Sequence, residues 1–414
     1  SLGVTIVDQS LEVAEGDYDL CVKNPGVHND IPFMVKLYER NVPVITEIEL
    51  AFQVAKPQHF IAITGTNGKT TTTNIIRTVL RRAGYKVGLI GTINIMIEDE
   101  EIVSHNTTPD VVDLQKTLYA MQQAGCQYVV MEVSSHALVL KRVEGIEYDC
   151  AVLTNITQDH LDFHKTMENY RDAKSLLFEH LTDGNKANKH AIFNMDDPSS
   201  PIIMARTKAP VLTFGKSAAN DVYPLSFKVE AKHMELKLMT PVGEMDLDLK
   251  ITGEFNVYNV MSAVAAMLAE GISKEVICDV LDGFDGVPGR FQLVEAGQPY
   301  TVVVDYAHTP DGLENVLNTA RAITKGKLWV VFGCGGDRDA KKRPIMGGLA
   351  LELADNIVVT SDNPRSEDPE KILDDICVAF KDVPVQKSLT RIAARKEAIE
   401  FAKNFVKACC KVQK

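Results

Sequence analysis

An apolar strand, a glycine turn and the start of a helix follow one another in the stretch Ile61-Ala62-Ile63-Thr64-Gly65-Thr66-Asn67-Gly68-Lys69-Thr70-Thr71. Backbone N–H groups at such a turn can bind phosphate oxygens, Lys69 can reach the terminal phosphates, and the Thr70 hydroxyl can bind Mg²⁺. The general phosphate-loop motif has a further glycine where this chain has Ile63, so only its second half is matched. The stretch predicts a nucleoside triphosphate site, and a plain strand-to-helix turn is the alternative.

The helix that starts at this turn is well specified, because its apolar residues recur with a period of 3.6 and Gly84 stands where a C-terminal cap is expected. This apolar face consists of Ile75, Ile76, Val79, Leu80 and Ala83. Short β-branched runs such as HFIAIT, YKVGLIG, QYVVMEV, CAVLTN and HAIFN alternate with helical patterns through most of the chain. Such alternation favours an α/β fold with a parallel sheet covered by helices.

The pattern along the chain changes twice. Between about residues 223 and 250, apolar and polar residues alternate in LSFKVEA, HMELKLM and EMDLDLK, which predicts a small antiparallel appendage. The segment GFDGVPGRF then precedes a second α/β unit, which is expected to be Rossmann-like and to begin with a strand over YTVVVDYA. We therefore predict an incomplete N-terminal domain over 1–57, a central domain over 58–286 and a shortened C-terminal domain over 287–414.

Composition disfavours several classes of protein. The 414 residues include 44 Lys and Arg against 56 Asp and Glu, a net charge of −12 that disfavours a chain-wide nucleic-acid surface. No window reaches the ~18 uninterrupted apolar residues of a membrane span, and no secretory signal pattern opens the chain. The eight cysteines form no Cys-x-x-Cys pair, which is typical of reduced thiols. We predict a cytoplasmic protein with small-molecule partners and with no nucleic-acid or membrane partner.

Further polar residues follow predicted strands downstream. Glu132 ends one strand and His160 follows another, at the carboxyl ends where open parallel sheets place ligands. Both side chains can bind or orient a divalent cation beside a triphosphate. Alternatively, His160 and His164 are ordinary histidines at a helix start, and Lys174, in a helix that Thr166 can cap, is a solvated surface lysine.

Ten segments then occur in an order that is typical of a known family. They are Gly65–Thr71 (GTNGKTT), Asn106–Asp110 (NTTPD), Glu132–His136 (EVSSH), Asn155–His164 (NITQDHLDFH), Ala173-Lys174, Gly253–Asn259 (GEFNVYN), Gly289-Arg290-Phe291, Asp305–Asp311 (DYAHTPD), Gly335–Arg343 (GGDRDAKKR) and Asp362–Arg365 (DNPR). The chain resembles the Mur ligases of bacterial peptidoglycan synthesis. From about Phe60 to Lys407 it is most similar to the branch that adds the third residue of the stem peptide. DNPR is similar to the form associated with meso-diaminopimelate rather than lysine.

This resemblance implies an ATP-dependent amide ligase whose three domains bind a nucleotide-sugar substrate, ATP and an amino acid. It implies that Lys69, Glu132, His160 and Lys174 are catalytic, and that Mg²⁺ is bound by Thr70, Glu132, His160 and a carbamylated Lys174. The residues implied to contact the nucleotide, besides the turn, are Asn256, Asn259, Arg290, Asp305 and His308. Those implied to bind UDP-MurNAc-dipeptide are Thr107, Thr108, Ser134 and Arg142. Those implied to bind the amino acid are Asp362, Asn363 and Arg365.

Three functions are compatible with this resemblance. The first is the addition of meso-diaminopimelate to UDP-MurNAc-L-Ala-D-Glu through an acyl phosphate, by a monomeric enzyme. The second is the addition of D-glutamate, because VKNPGVHNDIPFMVKLYERNVPVITEIELAF is similar to part of the D-glutamate-adding branch. The third is a non-catalytic nucleotide-binding relative, because a complete uridine-binding domain and the family's GKGHE segment are both missing. In the first function Arg365 would bind the second carboxylate of diaminopimelate. The alternative is a plain turn in which Arg365 is either exposed or paired with Glu367 or Asp368.

Overall fold

The computed structural model describes residues 18–23, 27–46, 58–104, 106–230, 232–380 and 388–412. Near the N-terminus, strands β1 (Cys21–Lys23) and β2 (Val44–Thr46) pair in parallel, and helix α1 (Pro32–Glu39) lies between them in the chain. Met34 and Leu37 of this helix pack with Val42 in a small apolar core of their own. Over its described residues, the predicted N-terminal domain therefore contains one β-α-β unit.

A large sheet forms the centre of the molecule. Its strands are β3 (His59–Thr64), β4 (Val87–Ile90), β5 (Asn94–Ile97), β6 (Glu100–Val103), β7 (Tyr128–Glu132), β8 (Cys150–Leu153), β9 (His190–Asn194) and β10 (Val211–Phe214). They lie in the order β10-β9-β8-β3-β7-β4-β5-β6. The first six in this order pair in parallel, and β5 and β6 extend one edge in antiparallel fashion. The predicted parallel α/β sheet is confirmed.

Helices cover both faces of this sheet. They are α2 (Lys69–Arg82), α3 (Val111–Gln123), α4 (Ser135–Val139), α5 (Leu161–His164), α6 (Met167–Glu179), α7 (Ser200–Met204), α8 (Glu254–Ala269) and α9 (Lys274–Asp282). Because successive strand residues point to opposite faces, Ile61 and Ile63 enter one core while Phe60 and Ala62 enter the other. Burial on both faces explains why these strands are unbroken apolar runs in the sequence.

Helix α2 buries the face that its sequence period predicts. Ile75, Ile76, Val79 and Leu80 are each no more than 1% exposed and belong to the core that also contains residues of α8. Burying an aliphatic side chain of this size contributes roughly 1.5 to 3 kcal/mol. Gly84 follows with a φ of 93°, as expected of a glycine that ends a helix. This packing holds the N-terminal end of α2 at the carboxyl end of β3.

The predicted antiparallel appendage is confirmed as a three-stranded sheet. Strands β11 (Tyr223–Val229), β12 (Met234–Thr240) and β13 (Gly243–Leu249) pair in chain order. Met234, Leu236 and Leu238 are buried on one face, with more exposed residues between them. These three residues join the core of the central sheet, so the appendage is packed on the central domain rather than separate from it.

The C-terminal part is a second α/β unit. Its elements are β14 (Gln292–Leu293), β15 (Val303–Val304), α10 (Pro310–Ile323), β16 (Trp329–Phe332), α11 (Lys342–Leu353), β17 (Asn356–Val359), α12 (Pro369–Cys377), β18 (Ser388–Arg391) and α13 (Arg395–Val412). Strands β16, β17 and β18 form a parallel sheet, as expected of a Rossmann-like unit. The strand expected over YTVVVDYA is present only as β15, which has two residues and pairs with β14. No described helix is long and apolar enough to span a membrane.

Candidate active site

The glycine turn after β3 has a geometry that requires both of its glycines. Gly65 and Gly68 have φ values of 146° and 85°, in the region that favours glycine. A Cβ on Gly65 would lie 1.9 Å from Thr154 Oγ1, and a Cβ on Gly68 would lie 2.3 Å from Asn259 Oδ1. Gly68 is the N-cap residue of α2, and no side chain caps the helix. The first N–H groups of α2 therefore stay available for an anion such as phosphate.

Lys69 and Thr70 are the two predicted site residues that begin α2. Lys69 Nζ donates to the carbonyl oxygens of Gly65 at 2.9 Å and Thr66 at 2.8 Å, so it closes the turn. Burial lowers the pKa of Lys69, and the negative charge of Glu132 partly opposes this effect. Thr70 Oγ1 accepts a hydrogen bond of 2.9 Å from Arg290, which is 220 positions away. The turn is thus in contact with the start of the C-terminal part.

Lys174 lies in the core beneath this turn. It is 2% exposed, and its Nζ donates to Gly65 O at 2.9 Å and lies 4.8 Å from the centre of the Tyr170 ring. No carboxylate of the described residues lies within ion-pair distance of it. Burial therefore lowers the pKa of Lys174 well below its usual range. The alternative of a surface lysine is wrong, and the predicted cap of its helix is present, since Thr166 Oγ1 accepts from Asn169 N.

Glu132 ends β7, and His160 lies in the loop that follows β8, so they come from the two strands on either side of β3. Glu132 is fully buried, and its carboxylate accepts hydrogen bonds from the N–H and the hydroxyl of Thr92, both at 2.9 Å. His160 has a φ of 54° at the start of α5, and its Nε2 lies 3.3 Å from Asp159. Partial burial lowers the pKa of His160, which favours the neutral imidazole that binds metals. In the described ranges, no group of three or more His, Cys, Asp or Glu could hold a metal.

The residues implied for the peptide substrate form one connected group. Thr108 Oγ1 donates to Glu132 O at 2.9 Å and accepts from Ser134 N at 3.0 Å. Arg142 donates to Thr108 O at 3.2 Å and pairs with Asp110 at 2.9 Å. The hydroxyl of Thr107 lies 3.0 Å from that of Thr92, which itself binds Glu132. The structure therefore connects this group to the predicted metal site through hydrogen bonds.

The residues implied for the nucleotide fall into two places. Asn256 and Asn259 are buried on α8 and joined by a hydrogen bond of 2.8 Å, with Asn259 against Gly68. Asp305 accepts hydrogen bonds of 2.7 Å from the N–H groups of Phe291 and Ala307, and burial raises its pKa. His308 is exposed and its Nδ1 lies 3.1 Å from Tyr306 O. The first place belongs to the central part of the chain and the second to the C-terminal part. The hydrogen bond between Arg290 and Thr70 links these two parts.

The residues implied for the amino acid lie on two loops of the C-terminal part. Arg365 donates to Gly336 O at 2.6 Å, and Gly336 N donates to Asn363 O at 2.8 Å. A Cβ on Gly336 would lie 1.9 Å from Pro364 O, so the two loops are in close contact. Arg365 is exposed and does not pair with Glu367, which binds the buried Arg343 at 2.8 Å. Its guanidinium is therefore free of carboxylate partners among the described residues.

A cleft of about 2090 Å³ brings several of these groups together. The predicted site residues that line it are Thr107, Thr108, Ser134, Arg142, His160, Asp305, His308, Asp362, Asn363 and Arg365. The turn residues, together with Glu132, Lys174, Asn256, Asn259 and Arg290, do not line this cleft. The cleft is therefore lined both by His160 of the predicted metal site and by residues of the DNPR loop.

Comparison with known proteins assigns the chain to a family. Residues 63–267 match the Mur ligase middle domain, and residues 289–408 match the Mur ligase, glutamate ligase domain. The chain belongs to the Mur ligases. This Mur ligase is 46% identical over 392 residues to UDP-N-acetylmuramoyl-L-alanyl-D-glutamate--2,6-diaminopimelate ligase of Bacillus cereus, covering 94% of this chain and 79% of that one. The resemblance inferred from the sequence motifs is thus confirmed.

Solved structures agree with this assignment. A structure of UDP-N-acetylmuramoyl-L-alanyl-D-glutamate--2,6-diaminopimelate ligase aligns with a TM-score of 0.61 and 33% identity, over 84% of this chain and 71% of that one. Mycobacterium tuberculosis folylpolyglutamate synthase complexed with ADP aligns with a TM-score of 0.71 and 19% identity, over 87% and 86% of the two chains. The second likeness shows that the fold is shared.

In the structure of this Mur ligase, further residues that the sequence analysis did not predict contact the predicted site residues or line the cleft. Asp159 pairs with His160, and Arg338 lines the cleft on the same loop as Gly336. Lys342 donates to His308 O at 2.8 Å and also lines the cleft. The motif segments QDHLDFH and GGDRDAKKR contain all three residues, so a sequence signal was available. Thr92 had no such signal, because its role depends on the bond that it makes to Glu132.

Proposed function

We propose that this Mur ligase joins meso-diaminopimelate to UDP-MurNAc-L-Ala-D-Glu with ATP hydrolysis, in peptidoglycan synthesis. The observation that carries the proposal is the cleft, which runs from His160 beside the glycine turn to the DNPR loop. The relatives named for this reaction support the choice of substrates, since the chain covers about four fifths of their length. D-glutamate as the incoming amino acid is the competing candidate in the experiment below.

The turn suits the triphosphate of ATP. The uncapped N-terminal end of α2 offers N–H donors, and Lys69 can exchange its two carbonyl contacts for phosphate oxygens. Arg290 adds a second cation, because its guanidinium already reaches Thr70 at 2.9 Å and its buried Nε has no hydrogen-bond partner among the described residues. Glycine at both tight positions lets the backbone approach the ligand closely. These groups would hold the γ-phosphate in place while its charge changes.

The residues around the turn also fit a divalent cation. Thr70, Glu132 and His160 would supply a hydroxyl, a carboxylate and a neutral imidazole. Mg²⁺ bound there would neutralise part of the negative charge of the transferring phosphoryl group. Glu132 is the single carboxylate among these three residues, so their negative charge is smaller than the positive charge of Mg²⁺. We propose that Lys174 supplies the second anion as a carbamate.

The environment of Lys174 favours this modification. Carbamylation needs an unprotonated amine that attacks CO₂ and loses a proton, and burial of Lys174 lowers its pKa toward that form. The resulting group is a carboxylate-like anion in place of an ammonium that has no carboxylate partner. The unmodified Lys174 Nζ donates hydrogen bonds to Gly65 O at 2.9 Å and to the Thr64 hydroxyl at 3.4 Å, so it lies directly beneath the turn. A bridge from Lys174 to the phosphates through the cation is therefore short.

The reaction then follows from the chemistry of the substrates. A carboxylate is a poor acyl donor, so its oxygen attacks the γ-phosphorus of ATP and forms an acyl phosphate, with ADP as the leaving group. The amine of the amino acid attacks the acyl carbon and displaces phosphate. Thr108, Ser134 and Arg142 would hold the nucleotide-sugar substrate, while Asn363 and Arg365 would hold the amino acid in the same cleft. Positioning and charge neutralisation supply catalysis, and no protein nucleophile is needed.

The three parts of the chain divide these tasks in our proposal. The matched ranges 63–267 and 289–408 fall within the central domain over 58–286 and the C-terminal domain over 287–414. The central part would bind ATP and Mg²⁺, and the C-terminal part would bind the amino acid. Residues 1–57 would contribute to the nucleotide-sugar site.

Phosphate release tests the proposal directly. The protein is incubated with ATP, Mg²⁺ and UDP-MurNAc-L-Ala-D-Glu, and either meso-diaminopimelate, L-lysine or no amino acid is added. A matched arm contains UDP-MurNAc-L-Ala and D-glutamate. We expect release that depends on meso-diaminopimelate, with the corresponding tripeptide product seen by mass spectrometry. Release in the D-glutamate arm would replace this proposal, and ATP binding without release in any arm would favour the non-catalytic relative.

A further inference from the structure

Asp311 connects the C-terminal part of the molecule to the glycine turn. It lies in the first turn of α10, whose N-terminal cap is Thr309, with its Oγ1 accepting from Gly312 N at 3.1 Å. Asn67 of the glycine turn donates its side-chain N–H to Asp311 Oδ2. Thr157, in the loop after β8, donates its hydroxyl to the same oxygen at 3.2 Å. A single carboxylate oxygen therefore joins α10 to two loops at the carboxyl edge of the central sheet.

The glycine turn does not need Asp311 to hold its shape. Asn67 N donates to Asn155 Oδ1 at 2.9 Å, and Asn67 O accepts from Thr154 Oγ1 at 2.6 Å. Lys69 closes the turn from within, through its bonds to Gly65 and Thr66. The backbone of Asn67 is thus fixed by the end of β8, and its side chain alone points to α10. The contact with Asp311 consequently determines where α10 lies relative to a turn that is already rigid.

A second contact between the central and C-terminal parts involves groups that are themselves proposed to bind ligands. Arg290 reaches Thr70 Oγ1, but both groups are proposed above to bind the phosphates or the cation. Their mutual bond would compete with those ligands. Asp311 and Thr157 have no assigned ligand, and neither of them lines the cleft. The bonds of Asp311 can therefore persist while substrates bind and products leave.

The location of α10 matters for the amino-acid site. The residues just before it, Asp305 and His308, line the cleft, and so do Pro310 and Leu313 of the helix itself. Lys342 of α11 donates to His308 O at 2.8 Å and lines the cleft as well. A shift of α10 would consequently move the wall that faces the incoming amino acid.

We propose that Asp311 is a positioning residue that holds α10, and with it the wall of the amino-acid site, at a fixed place relative to the glycine turn through Asn67 and Thr157. This inference rests on the proposed ligase function and deepens it. The carboxylate acts as an acceptor of hydrogen bonds from neutral donors, in the first turn of a helix where a negative charge is favourable. An amide oxygen in its place can accept the same two bonds, whereas a methyl group cannot.

Activity measurements separate these two cases. Asp311→Ala removes the acceptor of both hydrogen bonds, so kcat/KM for the amino acid at saturating ATP should fall roughly tenfold, while the dissociation constant of ATP changes by less than about threefold. Asp311→Asn should stay within about threefold of the wild type. Glu314→Ala, an exposed acid on the same helix, is the matched control and should change neither constant. Equal losses in Asp311→Ala and Asp311→Asn would overturn the proposal, and so would equal changes for ATP and the amino acid.

Amide hydrogen exchange gives a readout that does not depend on turnover. Peptides from α10 should be protected from exchange in the wild type and in Asp311→Asn, and less protected in Asp311→Ala. Thr157→Val keeps the side-chain shape and removes one donor, so it should lose part of this protection even if Asp311→Ala fails to fold. Protection of α10 in Asp311→Ala equal to that of the wild type refutes the positioning role. Wild-type protein that shows this protection and yet releases no phosphate would contradict the ligase function instead.

Discussion

Glu270, at the C-terminal end of α8, is a buried carboxylate whose replacement should alter stability in a pH-dependent way. Its side chain is 6% exposed and receives a hydrogen bond from Tyr128. Lys186 binds Asp149 at 2.6 Å and lowers the pKa of Glu270 only in part, and His59 Nδ1 lies 3.7 Å from the Glu270 carboxylate. Burial, and then the charge of Asp149, raise the pKa of Glu270 from 4.5 to about 7. A negative charge at the C-terminal end of a helix is unfavourable in itself.

The sign of the effect follows from the two pKa values. Because the folded-state pKa of Glu270 is above its unfolded value, the stability contribution is fully present below pH 4.5 and is lost as pH rises through 7. One pKa unit corresponds to ~1.4 kcal/mol, so ionised Glu270 costs about 3 kcal/mol of folding free energy at pH 8. Glu270→Gln removes this charge and keeps an acceptor for Tyr128. The variant should therefore be more stable than the wild type at pH 8 and similar to it at pH 4.5.

Urea unfolding followed by circular dichroism measures this difference. We expect the unfolding midpoint of Glu270→Gln to exceed that of the wild type at pH 8, with a difference that shrinks steadily down to pH 4.5. Glu400→Gln, a substitution of an exposed glutamate on α13, is the matched control and should show no such trend. A Glu270→Gln midpoint shift that is the same at both pH values, or a loss of stability at pH 8, would refute the reasoning.

Three further predictions concern the active site. Lys69→Ala should abolish phosphate release and leave the melting temperature nearly unchanged, because within the described residues the Lys69 amine donates hydrogen bonds only to carbonyl oxygens of its own turn; unchanged release would contradict its role. Intact mass in bicarbonate should show one added CO₂, which Lys174→Ala should lack, and short carboxylic acids should partly restore the activity of that variant; an unmodified Lys174 in active enzyme would exclude the carbamate. Arg365→Ala should raise KM for meso-diaminopimelate at least ~30-fold and leave KM for ATP nearly unchanged, since losing a charge-assisted pair typically costs ~2 to 5 kcal/mol. Arg391→Ala, whose arginine pairs with Asp374 at 2.6 Å outside the cleft, is its control, and equal effects on both substrates would refute the assignment.

Local patterns in the sequence were sufficient for much of the fold. The period of α2, the apolar runs of the parallel strands and the alternation in β12 each depend on residues two to four positions apart, and such spacings can be read without knowing the tertiary structure. The glycine turn belongs to the same class, because Gly65 and Gly68 are required by backbone angles within a few residues. The cap formed by Thr166 is also local, because its hydroxyl accepts from Asn169 N in the first turn of the same helix. The family resemblance added the roles of residues that these patterns alone left open.

Other features were decided by tertiary structure. Lys174 is an example, because it lies on the buried side of its helix. Its hydrogen bond to Gly65 O depends on where the sheet, in which β3 pairs with β8, places the glycine turn. Asp311 and Asn67 are 244 positions apart, and no local spacing predicts their contact. The expected strand over YTVVVDYA had the right local composition, yet β15 is short because a strand forms only where a partner pairs with it. Contacts across the chain depend on sheet order and helix packing, which each short segment of sequence leaves undetermined.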